Sequence, residues 1–344
     1  MTEGSTGRYL HTMTVAQDRA LAARLLCVGF AGPAVDEDLK EMLAAGVSGV
    51  ILFARNATSR EGAAALVAQV KREAARVGNP GIFACIDHEG GRVVRLASGM
   101  SVVEPMRAIG AQGPARSREV GATFARDLRS AHVDLDFAPV VDVDSNPANP
   151  VIGARAFGSD PATVSACATA FISGLQVGGV AACAKHFPGH GDTDLDSHHD
   201  LPHVSHSMER LRAVELPPFA AAVRAGVASI MTAHIVFDAV DAGVPATMSK
   251  KWIDGILRKE FGYDGVVFSD DLEMAAIADR TGVGEAAVRA ISAGVDCVLV
   301  CHRIDRQRTV IDALAKAISD GTLPRERALE AAVRLDLLRV RYAR

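Results

Sequence analysis

Short apolar runs alternate along this chain with longer, Ala-rich stretches that carry charges at helical spacing. The runs are LLCVGF (25–30), SGVILFA (48–54), GIFACID (81–87), DLDFAPV (134–140), GVAACAKH (179–186), GVASIMTAH (226–234), DGVVFSD (264–270) and GVDCVLVC (294–301). Most are continuously apolar, the pattern of parallel strands buried on both faces. Segments 60–77, 115–131, 160–177, 207–225, 249–260 and 284–293 read as helices. Several strands open with Gly or Asp-Gly just after a helix, where Gly suits the helix C-terminus. Eight strand–helix repeats with no low-complexity linker predict an α/β fold, a single (β/α)8 TIM-like barrel with extra C-terminal helices. One domain is expected over 1–344, with a barrel core at about 20–304 and a helical segment at 305–344.

Composition narrows the class. The 344 residues are 49% hydrophobic and 23% charged, which excludes a mostly disordered chain and supports a large core. A net charge of −4 argues against a strongly basic nucleic-acid binder, so no nucleic-acid partner is expected. No apolar run reaches the roughly 20 residues needed to span a bilayer, and no membrane partner is expected. MTEGSTGRYLHTMT lacks a basic region followed by an apolar one, so a cytoplasmic location is the expectation. The six cysteines are scattered, several within strand-like runs, and read as small buried thiols. A monomer is the default.

Polar residues cluster by position. Asp87, Lys185, His186, His234, Asp270 and His302 each close an apolar run. In a β/α barrel the C-terminal ends of all strands share the face that carries the active site. Strand ends also meet solvent, so any one of these residues is unremarkable. As a set, Lys-His and Asp-His-Glu-Gly-Gly-Arg exceed ordinary turn chemistry.

The densest stretch is KHFPGHGDTDLDSHHDLP, 185–202. Crowded ionisable groups perturb one another, as proton transfer requires. Asp196 stands two residues from His198, close enough in sequence to orient the ring and favour its protonated form. His186-x3-His190 and His199-x3-His203 have the ligand spacing of a metal-binding helix, but neighbouring Gly and Pro oppose a regular helix. HExxH and CxxC motifs are lacking, and no catalytic metal is expected. His190, His199, His203 and His206 receive no role. In FSDDLEM (268–274) a strand runs into two carboxylates. Asp270 is read as the chemical group and Asp271 as a helix cap. Gly189 and Gly191 are read as hinges that let 187–200 swing over a ligand.

IDHEGGRVVR (86–95), IGARAFG (152–158), KHFPGHGDTDLDSHHDLP and FSDDLEM occur in this order. Together they resemble family 3 glycoside hydrolases of the β-N-acetylhexosaminidase branch, in the single-domain, peptidoglycan-recycling form. The resemblance runs from about residue 20 to the end. It implies a retaining enzyme that removes terminal β-linked N-acetylglucosamine from peptidoglycan-derived muropeptides, with no cofactor. It implies Asp270 as nucleophile, and His198 as acid/base with Asp196 as its partner. It further implies that Asp87, Arg95, Arg155, Lys185 and His186 hold the sugar ring. In donor and acceptor terms, Asp87 can accept from two hydroxyls, while Arg155 and Lys185 donate. Arg95 has a second reading, a structural pairing with Asp87 or Glu89. A phosphorylase, a β-glucosidase or β-xylosidase, a metal-dependent hydrolase and an inactive sugar-binding protein are the rivals. A His in place of a carboxylate acid removes one negative charge and eases the entry of phosphate.

Overall fold

Each of the eight apolar runs holds one strand of a closed, all-parallel barrel. The structure is a computed structural model that describes residues 14–194 and 201–343. The strands are β1 (Leu26–Val28), β2 (Gly49–Leu52), β3 (Phe83–Ile86), β4 (Leu135–Asp136), β5 (Ala181–Phe187), β6 (Ser229–Thr232), β7 (Val266–Asp271) and β8 (Cys297–Val300). They follow sequence order around the ring, and β8 closes on β1 with Cys27 beside Leu299. The TIM-like barrel expected from the apolar pattern is the fold observed.

The interior is a packed core. Phe268 of β7 meets Phe83 of β3 edge-on, with ring centroids 6.0 Å apart, and Phe137 at 5.3 Å. β3 and β7 stand on opposite walls, so these rings meet across the barrel axis. Burying each ring contributes about 1.5–3 kcal/mol. Phe83 lies over β2 at Gly49, where any Cβ would collide with the ring. All six cysteines are buried free thiols, as their placement in apolar runs predicts.

The helices agree with the expected segments at four places: Arg60–Arg76, Pro114–Ser130, Pro161–Val177 and Val283–Ala293. Ser59 and Asp160 cap two of them by accepting from backbone N–H groups of the first turn. The segment 207–225 is not one helix. It divides into Met208–Ala213 and Leu216–Arg224, because Pro217 and Pro218 fit only a first turn. Lys251–Glu260 winds as a wider π-helix.

Two final helices, Ile304–Asp320 and Arg325–Tyr342, pack outside the barrel. Asp296, just ahead of β8, anchors the second of them. Its carboxylate accepts from Arg258 (2.5 Å), Arg327 (2.5 Å), Arg334 (3.3 Å) and the Val267 amide (3.0 Å). No helix among the described residues is long and apolar enough to cross a membrane.

Candidate active site

The C-terminal ends of the strands surround a cavity of about 580 Å³. Asp87, Arg95, Arg155, Lys185, His186 and Asp270 all line it. Six residues spread over 184 positions of sequence are thereby brought to one space, as the shared barrel face requires. Asp196 and His198 lie outside the described residues, as does His199.

One wall is a charge network. Lys185, near the C-terminal end of β5, donates to Asp87 Oδ1 at 2.6 Å and contacts Glu89 Oε1 at 2.7 Å. Arg155 grips the same Glu89 through two parallel bonds, Nε to Oε2 at 2.7 Å and Nη2 to Oε1 at 2.8 Å. This fork is the strong geometry for guanidinium and carboxylate. Arg155 sits on the short 3₁₀ turn Gly153–Arg155. Asn149 fixes the chain leading into that turn by accepting from the Val151 and Ile152 amides and donating to the His190 carbonyl.

Burial works against charge on Glu89, but Arg155 and Lys185 outweigh it and hold the carboxyl far below the ordinary range. Asp87 shows the same contest: burial raises it, the Lys185 ammonium lowers it, and the net shift is downward. Lys185 is opposed by burial and raised by Asp87 and Glu89, with a net upward shift. Both carboxylates and the ammonium therefore stay charged through neutral pH.

Arg95 is held less tightly. Its Nη2 stands 3.6 Å from Asp87 Oδ2, and its buried Nε has no acceptor among the described residues. A guanidinium used only to brace the loop would be better satisfied.

His186 is anchored from behind. Asp142, in the loop after β4, is fully buried. Its Oδ2 lies 2.8 Å from His186 Nδ1, and its Oδ1 accepts from the His190 amide at 2.7 Å. The His186 amide lies 3.2 Å from both oxygens. The Lys185–His186 peptide is cis. Burial, then Arg155 and Lys185, push His186 down to about 3, so its ring is neutral.

Opposite this wall, β7 supplies the pair Asp270–Asp271. Asp270 accepts from the Asp271 amide at 2.8 Å and lines the cavity. Asp271 Oδ1 accepts from the amides of Glu273 (3.1 Å) and Cys301 (3.3 Å), and Oδ2 lies 3.2 Å from His302 Nε2. It therefore ties β7 to the end of β8. The helix that follows, Ala275–Ala278, has no side-chain cap, so the expected capping role for Asp271 is replaced by this tie.

Two further sequence expectations change. His234 closes β6 but is absent from the cavity lining; its nitrogens meet Thr247 Oγ1 and the Asp271 carbonyl. Residues 187–191 are buried beneath neighbouring chain, and Gly191 is required by packing, because a Cβ would collide with the Val143 carbonyl. A hinge at Gly191 is thus displaced by a close-packing role. The histidines of this stretch divide among separate partners: His190 to Thr193, His206 to Asp192, His203 to Asp238. Glu89 and Asp142 are the functional-site residues that sequence reasoning passed over. Glu89 sits inside the flagged DHEGGR loop, and Asp142 is a carboxylate set in the apolar run APVVDV.

Comparison with known proteins accords with this geometry. Residues 19–338 match the model of the glycosyl hydrolase family 3 N-terminal domain. A β-hexosaminidase of Methylococcus capsulatus is 39% identical over 313 residues, covering 89% of this chain and 91% of the relative. The structure of a family 3 β-N-acetylglucosaminidase from a Paenibacillus species superposes with a TM-score of 0.92 at 42% identity. It matches 94% of this chain, which spans only 62% of that longer protein. NagZ from Neisseria gonorrhoeae, solved with N-trifluoroacetyl-D-glucosamine, gives a TM-score of 0.77 at 34% identity, over 93% of this chain and 90% of its own.

Proposed function

The chain belongs to glycosyl hydrolase family 3, and from that premise we propose that it is a retaining exo-β-N-acetylglucosaminidase. The observation that carries this reading is the joint lining of one cavity by the Asp270 carboxylate and the Asp87–Lys185–Glu89–Arg155 network. A charged, hydrogen-bonding wall suits a neutral polyhydroxylated ring, with Asp87 accepting and Lys185 and Arg155 donating. A β-hexosaminidase and a β-N-acetylglucosaminidase among the relatives support N-acetylglucosamine as the sugar. We propose a muramic-acid saccharide or muropeptide as the remainder of the substrate, cytoplasmic action, and a monomeric single catalytic domain.

Asp270 attacks the anomeric carbon while the bond to the leaving oxygen breaks. His198, paired with Asp196, gives the leaving oxygen its proton, and a covalent glycosyl-Asp forms. Water then attacks the same carbon, His198 takes its proton, and Asp270 leaves, with configuration retained. Retaining enzymes of the usual kind use a second carboxylic acid for this proton; an imidazole near pKa 6.5 serves the same two steps at neutral pH.

Release of a fluorogenic aglycone from β-N-acetylglucosaminide and β-glucoside, with and without phosphate, tests the reading. Preferential N-acetylglucosaminide cleavage to free sugar is expected. His198→Ala should cost about 10²–10⁴-fold, as loss of a general acid/base does. Asp270→Ala should lose at least as much. Sugar 1-phosphate as product would make the enzyme a phosphorylase, and full activity in Asp270→Ala would remove the nucleophile assignment.

A further inference from the structure

We propose that Asp142 is a positioning residue that holds His186 as the neutral Nδ1–H tautomer, so that Nε2 meets the sugar as a hydrogen-bond acceptor. This deepens the function proposed above and rests on it for the identity of the ligand.

An ionised carboxylate only accepts. Asp142 Oδ2 stands 2.8 Å from His186 Nδ1, which must therefore carry the hydrogen. Both oxygens are further engaged by the backbone amides of His186 and His190. At the other side of the ring, Arg155 Nη2 lies 3.5 Å from Nε2. A guanidinium only donates, so Nε2 is left as the acceptor. The two neighbours impose the same tautomer from opposite ends.

The charged groups facing the ring agree. Arg155 and Lys185 oppose a second proton on it, while Asp270 and Glu89 favour one, and burial with the two cations prevails. The His190 ring lies edge-on at 5.8 Å and is itself neutral, pushed down to about 4 by burial and then by His186. Burial raises Asp142, to about 6, so it is ionised at neutral pH.

A polarity follows for the cavity. Lys185, Arg95 and Arg155 are all donors, and Asp87 and Glu89 are largely occupied by them. His186 Nε2 has one lone pair, met in the free enzyme only by the long 3.5 Å approach of Arg155 Nη2, so a sugar hydroxyl that displaces this weak contact finds an uncharged acceptor on this wall. The opposite tautomer would aim an N–H at a guanidinium and leave that hydroxyl without an acceptor.

Asp142→Asn separates the carboxylate from its shape. The two backbone amides call for oxygen at the Oδ1 position, which places the amide NH2 against His186 Nδ1. The expected result is a reversed ring, with Nδ1 accepting and Nε2 protonated. In histidine-labelled protein without substrate, the ¹⁵N spectrum of wild type should show His186 with a protonated Nδ1 and a bare Nε2, and Asp142→Asn should exchange the two. In the same variant kcat/KM for a β-N-acetylglucosaminide should fall about 10–10²-fold, the scale of one hydrogen bond to a charged or well-buried partner. His186→Ala supplies the resonance assignment. A protonated Nε2 in wild type overturns the proposal with no variant needed. So does an Asp142→Asn spectrum that keeps Nδ1–H, or one that switches while kcat/KM stays unchanged. The spectrum is read in free enzyme, so a wild type that cleaves no N-acetylglucosaminide overturns the function while the tautomer stands on its own result.

Discussion

Two buried carboxylates in this barrel each gather several cations, at opposite ends of the strands. At the foot, Asp296 holds Arg258, Arg327 and Arg334 and locks the last helix to β7 and β8. At the top, Glu89 holds Arg155 and Lys185, and both of those cations also border the cavity. The chemistry is the same, and the place on the barrel separates the roles. The N-terminal face of such a barrel serves stability, while the C-terminal face carries the reaction. A buried ion pair is weak evidence of function by itself; what surrounds its cations decides.

Mutation at the foot should give the largest single effect, on stability alone. Asp296→Ala leaves three arginines without their shared acceptor and should cost about 3–5 kcal/mol, the scale for breaking a buried pair. Denaturant midpoints will show the loss, and kcat/KM of the folded fraction should match wild type. Equal losses of activity and stability would erase the distinction between the two ends. At the top, Glu89→Gln should lower kcat/KM about 10²-fold through misplaced Lys185 and Arg155, while the protein remains folded. Arg95→Ala is a finer probe. A binding role predicts KM raised about tenfold with kcat little changed; a loop brace predicts reduced stability with KM unaltered.

The smallest effect is in pH. Glu89 has a depressed folded pKa, so its contribution is complete above the unfolded value near 4.3 and is lost as pH falls toward the folded one. Lys185 is shifted upward, so its contribution is complete below about 10.4 and is lost as pH rises toward the folded value. Between those limits the network does not titrate. Melting temperatures from pH 5 down to 3 should therefore fall less steeply in Glu89→Gln than in wild type. Parallel slopes would mean that other carboxylates govern acid unfolding.

The barrel was legible because strands buried on both faces leave unbroken apolar runs, and one such run lies behind every strand. The site was legible where motifs are dense: Asp87, Lys185, His186 and Asp270 stand at strand ends and line one cavity. Strand-end position alone misleads for His234, since a polar terminus does not reveal which way the side chain turns. Asp142 escapes the same rule from the other direction. It stands six residues beyond β4, amid valines, and its value comes from a partner forty-four residues on. Glu89 was hidden by its neighbours, because a loop with Asp87 and Arg95 offers simpler pairings than a bridge to Arg155. The division of 207–225 was written in Pro217 and Pro218, whose local constraint outweighs the apolar periodicity around them.

The six buried thiols give this protein a built-in clock for its own breathing. All six are shielded from reagent by burial, and burial also pushes Cys183 up to about 12 and raises Cys85, Cys297 and Cys301, so those four hold almost no reactive thiolate while the fold is closed. An alkylating reagent can mark a cysteine only during an opening event, and the rate of marking becomes a count of those events. Cys27, Cys85 and Cys297 are barrel-strand residues, whereas Cys167 lies on an outer helix. Site-resolved alkylation would thus tell whether the staves of the barrel part together or its outer hoops loosen first.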